Sequence, residues 1–189
     1  MAIKSCRETW QLMTELTADG EFVRNFQQTI RMDDWLVETD LFPAEALDAY
    51  SAWNLEHPVS DEIKQKYFSE HRGGSQGDYR VGMAAKIANV VECLTQFPNS
   101  KRAVITILNN PSAHHTCDAD AKCMREIHFY LDGTALNATV LFRAQAAEIF
   151  PKNIHFIGGL MAEIAKALGS NVHPGVLFYL TTILVSDRS

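Results

Sequence analysis

One dipeptide constrains this chain more than any other: Asp132-Gly133, flanked on both sides by residues that alternate apolar and polar. Ile127, Phe129 and Leu131 alternate before it, and Leu136, Ala138, Val140 and Phe142 alternate after it. Successive strand side chains point to opposite faces, and Asp-Gly readily takes the positive φ that a two-residue hairpin loop requires. The pattern predicts an antiparallel hairpin running from Cys123 to Arg143 with one face in a core. Counting outward from a loop at Asp132-Gly133 sets Leu131 opposite Thr134, Phe129 opposite Leu136 and Cys123 beside Phe142. The far ends of the hairpin then hold a thiol and a guanidinium, a nucleophile and an anchor for an anion. Strict alternation aims Cys123 and Arg143 at opposite faces, so a joint site requires a bulge.

Helical spacing is clear in three places. Cys6, Trp10, Met13 and Leu16 form one stripe with a stop at Gly20; Met83, Ile87, Val90, Val91 and Leu94 form a second, ending at Pro98. Ile154, Ile157, Met161, Ile164 and Leu168 form the third, which Gly169 ends, and Gly158-Gly159 permits close packing on one of its faces. Ala44–Trp53 reads as a short helix, in a region from Glu21 to Glu70 whose pattern is otherwise irregular. Ala103–Leu108 and Val176–Val185 read as buried strands. His71–Gly82 and Asn109–Lys122 read as loops; Gly73-Gly74-Ser75-Gln76-Gly77 lacks the strand before it and the Lys-Ser/Thr after it that a phosphate-cradling loop needs. Helices and strands mix without a β-α-β rhythm. The class is α+β, a single domain over residues 1–189 with helices packed on a mostly antiparallel or mixed sheet.

The formal net charge of -6 argues against a nucleic-acid surface, which concentrates Lys and Arg. A small anionic ligand needs only a few local cations. No apolar run is long enough to span a bilayer, and Met1-Ala2-Ile3-Lys4 lacks the apolar core of a signal peptide. These features predict a cytoplasmic protein whose Cys6, Cys93, Cys117 and Cys123 are reduced thiols.

Cys123 has two readings, a small buried hydrophobe or a reactive thiol. Lys122 and Arg125 flank it and Arg143 arrives across the hairpin, and cations favour a thiolate. Lys101-Arg102, before a strand, suits a phosphate or carboxylate, or else a solvated turn. Asn153 could cap the following helix or hydrogen-bond an amide edge such as that of uracil as both donor and acceptor. His114, His115, Cys117, Asp118, Asp120 and Cys123 are all potential metal ligands, but their spacing matches no closed site, and no metal is expected.

Taken together, these segments resemble thymidylate synthase and its relatives, the pyrimidine hydroxymethylases. Pro98-Asn99-Ser100-Lys101-Arg102-Ala103 resembles the family's Asn-Pro-x-Ser-Arg-Arg, and Asn109-Asn110-Pro111 its Trp-Asn-Pro. Cys123-x4-His128-Phe129-Tyr130 is similar to the nucleophile segment Cys-His-x3-Gln-Phe-Tyr, with His128 in place of Gln. Asp132-Gly133 and Leu136 match the turn that follows, and Leu141-Phe142-Arg143 the phosphate-binding arginine strand. Phe150-Pro151-Lys152-Asn153-Ile154 is similar to the Pro-Phe-Asn-Ile that holds the pyrimidine. The similarity covers about half the chain, from Gly82 to Val185, and lies in the order and spacing of these motifs.

The resemblance implies a thymidylate-synthase-like mixed sheet packed against helices and a homodimer. It implies a transferase in which a Cys123 thiolate adds to C6 of a pyrimidine nucleotide, and C5 then takes a one-carbon unit from methylene-tetrahydrofolate. Arg143, with Lys101 and Arg102 from the second subunit, would hold the phosphate; Asn153 would read a uracil-like edge. The chain also departs from the family. Ala144 and Ala146 stand where the family has a phosphate-binding Ser and a folate-binding Asp, Thr181-Thr182-Ile183-Leu184-Val185 replaces the ribose-binding Ser-Ala-His-Ile-Tyr, and the segment that closes over folate does not follow. Arg24 or Arg31 could stand in for an N-terminal arginine, and Glu45 or Glu38 for a catalytic glutamate. Two other expectations therefore stand beside the first: a folate-independent biosynthetic enzyme of the same fold, or a non-catalytic dimeric protein that binds a nucleotide or a partner.

Overall fold

The computed structural model describes residues 2–68, 79–107 and 122–187. Its elements run α1 (Cys6–Leu16), β1 (Val23–Arg31), α2 (Ala44–Asn54), α3 (Asp61–Tyr67), α4 (Met83–Gln96), β2 (Val104–Thr106), β3 (Met124–Asp132), β4 (Ala135–Phe142), β5 (Gln145–Ala146), α5 (Phe150–Leu168) and β6 (His173–Val185). The strands form one sheet in the order β1-β6-β4-β3-β2, with β5 also pairing β6. β6 runs antiparallel to β1 but parallel to β4 and β5, while β2–β3 and β3–β4 are antiparallel. The fold is therefore α+β with a mixed sheet packed against helices.

α1, α4 and α5 form where the apolar spacing predicts, and the helix ends have physical causes. Ser5 and Glu8 make a reciprocal capping box at the start of α1, satisfying two backbone donors that the helix leaves open. Pro151 stands in the first turn of α5, where a missing N–H costs nothing. α5 is the central helix, and every residue from Phe150 to Gly158 is buried. Gly158 is required there: a Cβ would fall 2.2 Å from the Trp35 indole. One face of the sheet carries Ile127, Phe129, Leu136, Ala138, Val140, Phe142, Leu177 and Tyr179 into the core. The opposite face carries Tyr130, Leu141, Phe178 and Leu180, which are half-buried or exposed.

The hairpin forms, in a register two residues away from the expected one. Leu131 pairs with Leu136 and Phe129 with Ala138, because the loop residues are Gly133 and Thr134. Gly133 takes φ +59° at the first loop position, the place where a turn with a single positive-φ residue needs glycine. A shift of two preserves which side chains face the core. β1 lies in the stretch whose pattern is irregular, since its Arg24, Asn25, Gln27 and Gln28 mask any alternation; Asn25 has φ +53°, and buried Gln28 donates to the carbonyls of Ala2 and Thr29. α3 is too short for periodicity to reveal, and Ser60 with Asp61 and Glu62 marks its start. β2 is shorter than Ala103–Leu108, though Phe129 N–H donates to Ala103 O and Ile107 N–H to Arg125 O beyond its ends. β6 begins at His173, ahead of Val176.

Among the described residues no helix is long and apolar enough to cross a membrane, and no group of three or more His, Cys, Asp or Glu is placed to hold a metal ion. His114, His115, Cys117, Asp118 and Asp120, the Gly73–Gly77 stretch and Asn109-Asn110-Pro111 lie outside the described residues.

Candidate functional site

The bulge that a joint site demands is present. Between Met124 and Glu126 the β3–β4 register slips by one, so Met124 pairs with Phe142 and Arg143 N–H donates to Cys123 O at 2.8 Å. Cys123 thus lies opposite Arg143 rather than Phe142. Lys122 O accepts from Arg143 Nε at 3.3 Å and from Arg125 Nη1 at 3.4 Å, which gathers two guanidinium groups at one carbonyl beside the half-buried thiol.

Two buried tyrosines complete this end of the sheet. The Tyr79 hydroxyl accepts from Met124 N–H at 3.3 Å, and the Tyr79 backbone N–H donates to Asn54 Oδ1 at 2.6 Å, tying it to α2. Burial chiefly, and then the neighbouring Cys123, push the Tyr79 phenol well above its ordinary pKa; the Met124 N–H and Arg143 act against this. Tyr179 is raised in the same direction by burial, then by Tyr79 and Cys123. Both phenols therefore stay protonated near neutrality, as donors rather than anions. The Tyr179 ring stacks on Phe142 at 5.1 Å, and Tyr79 stacks on Phe156 at 5.6 Å.

Gln145 joins Asn153 to this cluster. Its Oε1 accepts from the Tyr179 hydroxyl at 2.6 Å and from Asn153 Nδ2 at 2.9 Å, all within the core. Asn153 does not cap α5, whose cap position is Ile149. Its neighbour Lys152 is buried, with Nζ 4.5 Å from the Tyr50 ring centroid. Further along α5, His155 Nδ1 is 2.7 Å from Ser51 Oγ, and its Nε2 lies 3.6 Å from Asp48 Oδ1. Burial holds the His155 pKa below its ordinary value, with Asp48 opposing, so this pair ties α5 to α2 in the neutral form.

Lys101 and Arg102 are not part of this cluster within one chain. Both are exposed on the turn between α4 and β2. Arg102 lies 5.5 Å from the Phe97 ring centroid, and its backbone N–H donates to Ser100 Oγ at 3.1 Å. Phe97, Asn99, Ser100, Lys101 and Arg102 line an open cleft of about 580 Å3. Ala103 pairs with Phe129, six residues along from Cys123. At ~3.3 Å per residue that separation is about 20 Å, beyond the reach of an arginine side chain.

The weaker candidates have local partners. Glu38 accepts from Ala44 N–H at the start of α2, and Glu45 accepts from the Tyr67 hydroxyl and Lys66, which hold its carboxyl below the ordinary range. Arg24 lies over Phe22 and Arg31 near Asp33, both on the edge strand β1. Thr181 is buried, its hydroxyl donating to Ile183 O.

Sequence reasoning missed Tyr79, Tyr179 and Gln145. The two tyrosines read as core aromatics or loop residues. Gln145 carries a signal: it is the one polar side chain among Ala144, Ala146 and Ala147. No family model matches the chain, and no curated protein matches it.

Proposed function

We propose that this chain is a divergent transferase of the thymidylate-synthase type, acting on a pyrimidine nucleotide or a related anionic heterocycle through Cys123. The observation that carries this reading is the bulge, which sets Cys123 directly opposite Arg143 instead of on the other face. Arg125 and Arg143, gathered at Lys122 O next to Cys123, offer the guanidinium groups that an anionic ligand at this end of the hairpin needs. The thiolate adds to the electron-poor C6 of the ring, the C5–C6 π electrons move onto C5 and the adjoining carbonyl as an enolate, and C5 attacks a one-carbon electrophile; loss of the C5 proton then restores the double bond and expels the Cys123 thiolate from C6. Arg143 holds the phosphate. Asn153 pairs with the heterocycle edge, supported from behind by Gln145.

A homodimer fits this reading. Lys101 and Arg102 sit at the far end of β3 from Cys123, so they reach a phosphate only from a second subunit. The outward sheet face, on which Tyr130, Leu141, Phe178 and Leu180 stand among polar His128, Thr139 and Gln27, is the face we assign to that subunit.

The residues present do not fit methylene-tetrahydrofolate. Ala146 places a methyl group where a folate-binding carboxylate is expected, and Ala144 likewise lacks a hydroxyl. The same observation favours a second reading, a folate-independent enzyme of this fold. Cys123→Ala is expected to abolish turnover while leaving the melting temperature within a few degrees of the parent. A variant that retained full activity would overturn covalent catalysis. A thermal-shift screen with nucleotide monophosphates and folates separates the readings, because only ligands that bind the folded state raise its melting point. The expected response is to nucleotides; stabilisation by folates alone would contradict the site described here.

A further inference from the structure

Lys152 is a buried cation that the reaction described above leaves unused. It is 4% exposed, and its Nζ lies 4.5 Å from the Tyr50 ring centroid. Taking an ammonium out of water is costly, and an apolar side chain would pack on the same ring without that cost. Lys152 and Asn153 are neighbours in the first turn of α5, so their side chains leave the helix about 100° apart. Asn153 turns toward Gln145, and Lys152 toward Tyr50 of α2. Phe156, one turn on, packs edge-on against the same Tyr50 ring at 6.5 Å and stacks on Tyr79 at 5.6 Å. The Tyr79 hydroxyl accepts from the N–H of Met124, the residue after Cys123. Lys152 therefore stands on an aromatic wall that runs from α2 to the thiol, next to the amide that pairs with the heterocycle.

Addition of a thiolate to C6 moves negative charge onto the ring carbonyl oxygen. A cation that meets this oxygen lowers the barrier, because the interaction strengthens as the charge develops. The carboxyl groups of Glu38 and Glu45 are engaged elsewhere, by Ala44 N–H and by Tyr67 with Lys66. Arg143 holds the phosphate in the same reading. A lysine ammonium is a compact charge with rotatable donors on a flexible stem, so it can turn from the Tyr50 face to an oxygen held at Asn153. We propose that Lys152 is a further catalytic residue, whose ammonium donates a hydrogen bond to the ring carbonyl oxygen and stabilises the enolate that forms there. The proton stays on Nζ, and the electron pair stays on the ring until C5 uses it. This rests on the reading of Cys123 and Asn153 given above.

The test needs no one-carbon donor. In heavy water the enolate formed from deoxyuridine monophosphate takes a deuteron at C5. Loss of the original C5 proton and then of Cys123 returns the nucleotide with deuterium at C5, which proton NMR reads. Lys152→Met keeps the apolar stem and Lys152→Gln keeps a polar end, and both remove the charge; Lys152→Arg keeps it. The two uncharged variants should exchange at least about a hundredfold more slowly than the parent, the loss expected for one donor to a developing oxyanion. Their affinity for the nucleotide should stay within about threefold, because the interaction is made in the transition state. Lys152→Arg should exchange faster than either. Exchange that stays near the parent rate in the uncharged variants, or that falls only in step with affinity, would overturn the proposal. A parent that binds the nucleotide but exchanges no faster than Cys123→Ala would instead overturn covalent addition by Cys123, and the role of Lys152 with it.

Discussion

The two ends of β3 both carry cations, in opposite settings. At one end Arg125 and Arg143 converge on Lys122 O beside Cys123, with the buried phenols of Tyr79 and Tyr179 as near neighbours. At the other, Lys101 and Arg102 stand on an exposed turn held by Ser100 and the Phe97 ring. A charge near buried groups acts through a low effective dielectric; an exposed one is screened within about 10 Å at ordinary salt. The same residue type can therefore dominate binding at one end and tune it at the other.

That contrast predicts a ranking. Arg143→Ala should have the largest effect on nucleotide binding, a loss of at least tenfold in affinity measured by calorimetry, because hydrogen bonds to charged groups contribute about 1.5–3 kcal/mol. Tyr79→Phe comes next and acts on stability: it strips the acceptor from the buried Met124 N–H, at a cost of about 1–3 kcal/mol in denaturant unfolding. Arg102→Ala should be smallest, within about 1 kcal/mol for an exposed cation, and its effect should fade as salt is raised while that of Arg143→Ala persists. Equal salt sensitivity at the two ends would erase the distinction between them.

The readability of the sequence follows the same physical lines. α1, α4 and α5 are legible because each buries one stripe of a regular helix, and the hairpin because its period of two is clean on both sides of a glycine turn. The two-residue register error arises because Asp132-Gly133 locates a turn without saying whether Gly133 is the second loop residue or the first. β1 is hidden by buried Gln28, whose hydrogen bonds are made to carbonyls that no local pattern announces. Cys123, Arg143 and Asn153 come from nearby segments with chemistry-bearing side chains, so order and spacing single them out. Tyr79 reaches the site from a distant segment, anchored by Asn54 of α2, and only the fold brings it there. Lys101 and Arg102 show the converse: residues prominent in sequence that one chain leaves about 20 Å from the thiol by strand geometry.

Cys6 supplies an internal reference for the reactivity of Cys123. It is buried, and burial chiefly, with Asp34 and Asp33, pushes its thiol up to about 12, which leaves it protonated and inert near neutrality. The decisive measurement is the rate of alkylation of each thiol by a mild reagent at neutral pH, read by peptide mass spectrometry with and without a pyrimidine nucleotide monophosphate. A nucleophile beside Arg143 predicts that Cys123 reacts far faster than Cys6 and is protected by the nucleotide. Labelling of Cys123 as slow as that of Cys6, unaffected by any nucleotide, would contradict it.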